Sequence, residues 1–130
     1  MKHCLDADVL IGALDGSDSH HAEARSRLSA WHGRDDVLIS VINLSEVLVA
    51  PAAEKKRLRR ARAAIAALGV QIHQPGEAIG VEAARLRQTY PISLPDAYCL
   101  ATTRQTGASL ASFDERLMRA ARSEKIPVDG

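Results

Sequence analysis

Apolar positions along the chain fall into short blocks that switch between two periods. His3–Leu5, V-L-I-S (37–40), V-Q-I-H (70–73), S-L-A-S (109–112) and Ile126–Val128 read as short strands. V-L-I-S has the continuous apolar character of a strand covered on both faces. Between them the spacing predicts helices. The first spans Val9–Leu14 and breaks near Gly16. H-H-A-E-A-R-S-R-L-S-A-W-H-G follows, with Ala24, Leu28 and Trp31 on one face, Asp18 or Ser19 as cap and Gly33 as stop. V-I-N-L-S-E-V-L-V-A is ended by Pro51. Lys55–Leu68 carries Leu58, Ile65 and Leu68 as its apolar stripe, with Gly69 after it. Ala78–Tyr90, Pro95–Gln105 and Glu115–Ser123 complete the set, the second with proline in its first turn and Gly107 past its end. Strands alternating with single or paired helices predict one α/β domain over residues 1–130. Its parallel sheet should have four or five short strands with helices on both faces.

Composition narrows this picture only slightly. The 130 residues are 46% hydrophobic and 25% charged, ordinary for a globular chain with a real core. Aromatics are only 3%, so Ala, Leu, Val and Ile must build that core. A net charge of +1 gives no global pull toward nucleic acid, so any basic surface must be local. Cys4 and Cys99 match no zinc or redox spacing and read as reduced core residues. No apolar run approaches the ~18 residues of a membrane span, and a soluble cytoplasmic protein is expected.

The acidic residues change the picture more. Asp6 follows the first strand, Glu46 lies early in the helix after the second, and Asp114 comes just after A-S-L-A. Asp96 is in the first turn of the helix leading into that strand. A crossover helix runs antiparallel to its strands, so all four acids should meet at the carboxyl rim of the sheet, where open α/β sheets bind ligands. Each has a plain local explanation. Asp96 complements a helix dipole. Asp114 could cap the last helix, and Asp8 the first. Asn43 and Glu46 have capping-box spacing. Jointly they are harder to dismiss. Two carboxylates ~4 Å apart repel by about 4 kcal/mol at an effective dielectric of 20, and a hard divalent cation such as Mg²⁺ or Mn²⁺ removes that conflict. None of the five histidines has metal-ligand spacing, and His20 and His21 read as solvated.

L-D-A-D-V-L-I, I-S-V-I-N-L-S-E, L-P-D-A-Y-C-L-A and A-S-F-D-E-R-L, in this order, resemble a PIN domain of the VapC type, the toxin of bacterial toxin–antitoxin pairs. The resemblance spreads over essentially the whole chain. It implies a Mg²⁺- or Mn²⁺-dependent endoribonuclease, a homodimer, and inhibition by a cognate VapB-like antitoxin. By position, Asp6, Glu46, Asp96 and Asp114 match the family's acidic quartet as catalytic and metal-binding residues. Asp8 stands where the family commonly has Ser, Asn or Thr; the extra carboxylate would either add a water-mediated contact to the metal beside the ligand acids or do no more than cap the first helix. Ser112 matches a position often Thr or Ser, and it would bond a ligand acid or a metal-bound water.

An RNA substrate should meet positive charge, and K-K-R-L-R-R-A-R (55–62) concentrates it: Lys55, Lys56, Arg59, Arg60 and Arg62 are candidates for tracking an RNA backbone or an acidic antitoxin segment. The alternative is a solvated face. Arg85, Arg87, Arg104 and Arg116 are further candidates. Trp31, Phe113, Tyr90 and Tyr98 are too few and scattered to predict a base-stacking platform. Two rival functions remain. D-A-D-V also fits the start of haloacid-dehalogenase-type phosphatases, or a receiver domain, with Asp6 as nucleophile; the sole late lysine, Lys125, precedes rather than follows a strand. A non-catalytic RNA- or partner-binding module is the other.

Overall fold

The computed structural model describes all residues, Met1–Gly130. Four parallel strands, β1 (Lys2–Leu5), β2 (Asp36–Ser40), β3 (Val70–His73) and β4 (Ser109–Ala111), form one sheet in the order β3-β2-β1-β4. The helices are α1 (Ala7–Leu14), α2 (His21–Trp31), α3 (Val41–Leu48), α4 (Lys55–Ala67), α5 (Glu77–Thr89), α6 (Leu94–Thr106) and α7 (Glu115–Ser123). Strand alternation assigns the two cores. Leu5, Val37, Ile39, Val70 and Ala111 point into a cluster with residues of α1–α4, such as Leu10, Leu28, Val47 and Ile65. Leu110 points the other way, into a cluster of α5, α6 and α7 that contains Leu86, Leu100 and Leu117. Cys4 and Leu38 share that second face. Both cysteines are buried and free, as expected.

Four expectations need correction. Ile126–Val128 is no strand; Val128 makes a single parallel bridge to Leu110, whose N–H donates to Pro127 O and whose carbonyl accepts from Asp129 N–H, with no further ladder bond. Asp8 does not cap α1. Helix geometry begins at Ala7, so Asp6 takes the cap position and its Oδ1 accepts from Ala7 N–H at 2.8 Å. Asn43 and Glu46 make no capping box, since α3 starts at Val41 with Ser40 as its cap. His20 occupies the cap position of α2 without a side-chain bond there, while Asp18 Oδ1 accepts from His20 N–H. No helix is long and apolar enough to cross a membrane.

A candidate metal-dependent site at the strand ends

β1 lies between β2 and β4, so the chain reverses its direction of winding at the β1–β4 junction and leaves a crevice beyond their carboxyl ends. Asp6 sits there. Its backbone N–H extends the ladder to Ala111 O at 2.9 Å, which fixes the carboxylate at the mouth of the crevice. Ser112, the first residue beyond β4, donates its hydroxyl to Asp6 Oδ2 at 2.8 Å and accepts from Asp114 N–H at 2.9 Å. The serine therefore couples the two acidic loops. Asp114 caps α7, its Oδ1 accepting from Arg116 and Leu117 N–H. Asp96 stands in the first turn of α6, behind the Ser93 cap.

Asp6, Asp8, Asp96 and Asp114 form one electrostatic group. Burial, then the charge of Asp8, pushes the Asp6 carboxyl up to about 8, with Asp96 adding to the rise and Ser112 opposing it. Burial also raises Asp8, with Asp114 adding to the rise. Asp96 is raised by burial and further by Asp114. Asp8 does more than its expected neighbouring role: Oδ2 accepts from Phe113 N–H at 2.9 Å, tying α1 to the Asp114 loop, while Oδ1 is buried without a partner.

Glu46 stands apart from this group, exposed on α3. Its link is Asn43, fully buried, whose Nδ2 donates to Glu46 Oε1 at 3.1 Å and to Pro95 O at 3.0 Å. Asn43 thereby joins Glu46 to the first turn of α6, next to Asp96. Asn43 Oδ1 has no partner. Glu46 also borders a groove of about 580 Å³ between α1, α3 and α4, together with Ile11, Leu14, Arg57 and Arg60.

The donor set is carboxylate and hydroxyl oxygen, which suits a hard cation such as Mg²⁺. The orphaned Asp8 Oδ1 and the raised carboxyls suit a bound cation. No three Asp, Glu, His or Cys side chains already close a coordination shell. A cation held here would therefore complete its shell with water, as Mg²⁺ ordinarily does.

The basic residues divide. Lys55, Lys56, Arg57, Arg59, Arg60 and Arg62 are all exposed, and none makes an ion pair. Arg57 and Arg60 face the groove beside Glu46. Arg85 and Arg104 are committed elsewhere, to Glu82 and Glu124 on the α5–α6–α7 side. Arg116 is close enough to Asp96 to lower its carboxyl. His21 is not simply solvated; its Nδ1 bonds Gly12 O at 2.8 Å. His20 stacks on Phe113, a pairing with no signal in the sequence.

Comparison with known proteins agrees with this architecture. The PIN domain family model matches residues 3–123. A toxin–antitoxin complex from Klebsiella pneumoniae contains a similar chain, 29% identical, with a TM-score of 0.70 and 86% of each chain covered. VapC20 of Mycobacterium tuberculosis, described as a sarcin–ricin-loop-cleaving toxin, has a TM-score of 0.74 at 20% identity, over 91% of this chain and 94% of that one. VapBC2 of Rickettsia felis, bound to a DNA fragment from its promoter, reaches 0.75 at 15% identity, over 99% and 98%. No curated protein sequence matches.

Proposed function

The chain belongs to the PIN-domain family, and from that premise we propose that it is the toxin of a toxin–antitoxin pair, a divalent-cation-dependent endoribonuclease hydrolysing RNA phosphodiester bonds. The observation that carries this reading is the group Asp6, Asp8, Asp96 and Asp114 at the strand-end crevice, where burial and mutual repulsion push three carboxyls upward. Likeness to a Klebsiella pneumoniae toxin–antitoxin chain supports the toxin role, and the described activity of the Mycobacterium tuberculosis relative supports RNA as substrate.

In this reading Asp6 and Asp96 are the principal ligands of Mg²⁺ or Mn²⁺, and Asp114 completes the site directly or through water. A bound cation supplies positive charge against the phosphoryl oxygens and lowers the pKa of the attacking water. Asp8 Oδ1, buried and unpartnered, would be available to the same cation. Ser112 holds Asp6 in orientation with its hydroxyl. Glu46, held by Asn43, positions the nucleophile or a second ion. Arg57, Arg59, Arg60 and their neighbours on α4 track the RNA backbone. The partners are RNA, a VapB-like antitoxin and a second copy of the chain, in the cytoplasm.

The aspartyl phosphotransfer alternative lacks support from this geometry. Lys125, the lysine it would need, follows α7 at the end of the chain that passes into the Val128 bridge, away from Asp6. The test is direct. RNA cleavage with Mg²⁺ should fall about 100-fold or more in Asp96→Asn and vanish with EDTA. Undiminished cleavage in both sinks the metallonuclease reading.

A further inference from the structure

The acidic rim has an aromatic neighbour. Phe113 lies between Ser112 and Asp114, with its N–H held by Asp8 and its ring packed partly into the α1–α4 core. His20, in the α1–α2 connection, lies parallel on that ring, centroids 4.2 Å apart and planes 6° from parallel. Arg27 places its guanidinium carbon 5.3 Å from the Phe113 centroid. His20 is held in place by its backbone, whose N–H donates to Asp18 Oδ1 at 2.8 Å. Its imidazole has no hydrogen bond; the nearest carboxylate oxygen, on Asp18, is 3.7 Å away. With one face on Phe113, the side chain remains 48% exposed.

We propose that the His20–Phe113 stack, with Arg27 over Phe113, is a nucleobase-binding subsite for the RNA strand whose phosphate reaches the acidic rim. This rests on the ribonuclease reading and goes beyond it by naming where a base is held. Three physical features support it. The outer imidazole face is flat and wet, so a base stacking there gains contact without displacing protein. Every base has a π-face, so the subsite accepts a base without reading its edge. Phe113 is one residue from Asp114 and bonded to Asp8, so a base on the stack and a phosphate at the acids belong to neighbouring parts of one strand. Arg27, paired with Glu23 at 2.8 Å, backs the Phe113 ring and holds it in place beneath the stack.

The probe is a mixed-sequence RNA oligonucleotide, cleaved with Mg²⁺ by the whole protein. His20→Ala should lower kcat/KM about 5- to 100-fold, mainly through KM, with the Mg²⁺ concentration for half-maximal rate unchanged. His20→Phe should restore the rate, which a folding defect would not allow. Substrates abasic at each position in turn add a second reading. At one position loss of the base should slow the natural protein and leave His20→Ala no slower. If His20→Ala cleaves as the natural protein does while Asp96→Asn is inactive, the subsite is wrong and the ribonuclease reading stands. If Asp96→Asn and EDTA leave cleavage intact, the ribonuclease reading fails and the subsite with it. Weakened antitoxin binding in His20→Ala with unchanged RNA kinetics would assign the stack to a protein partner and overturn the proposal.

Discussion

Asp6 combines two demands that a single carboxylate rarely meets. It caps α1 through Ala7 N–H, and it is 5% exposed beside other acids. Its folded pKa lies about 8, against 3.8 for the free side chain. Between those values the folded protein keeps a proton that the unfolded chain has lost, so cation-free stability falls as pH rises through that window. Thermal melts in EDTA should show a lower midpoint at pH 7.5 than at pH 5, and Asp6→Asn should flatten the difference. Mg²⁺ should restore more stability at pH 7.5 than at pH 5, because binding to the folded state alone stabilises it. Parallel melting curves for the two proteins would refute this origin of the pH dependence. Asp8 teaches a different lesson. Its acidity was visible in D-A-D-V, but its grip on Phe113 joins residues far apart in sequence, which no local pattern encodes.

At the scale of elements, most helices and strands were legible because their apolar spacing and their Gly and Pro stops agreed. Gly33, Gly69 and Gly107 all adopt positive φ just past helix ends, where a residue without Cβ is needed. The errors came at boundaries, where one residue decides which side chain caps. Function separates the basic elements as well. α5 and α6 spend Arg85 and Arg104 on Glu82 and on Glu124, whose carboxyl they and Tyr90 hold down at about 2. α4 has no such partners. Arg57→Glu with Arg60→Glu should weaken RNA binding and flatten the plot of log affinity against log salt by about 1.4, two single-strand phosphate contacts at ~0.7 each. Unchanged affinity and slope, measured by fluorescence anisotropy, would reduce α4 to a solvated face.

Across the whole molecule, the two ends of the sheet do different work. The carboxyl end gathers acids with no protein cation among them sufficient to balance the charge. The amino end carries a hydrogen-bonded cluster: His3, 3% exposed, bonds Asp35 through Nε2 at 2.8 Å and Asp129 through Nδ1 at 2.9 Å, and stacks on Trp31. Asp129 N–H also donates to Leu110 O, so this cluster fastens the last residues of the chain to β4. His3→Ala removes the partner of Asp129, while Asp35 keeps the Met1 ammonium at 3.3 Å, and it should lower the midpoint of a urea melt. Cleavage per folded molecule should be unchanged, since His3 is at the far end of β1 from the acids; lost specific activity would show that the ends are coupled. The sequence by itself determined the parallel α/β class, the order of elements and the candidacy of Asp6, Glu46, Asp96 and Asp114, because apolar period and strand-end position are local properties. Only the tertiary structure decided that Asp8 joins the acidic group while Glu46 reaches it through Asn43, that Arg57 faces the groove, and that His20 lies on Phe113. Those are contacts between segments distant along the chain, set by how the helices pack on the sheet, and pairwise packing leaves no period in a single sequence.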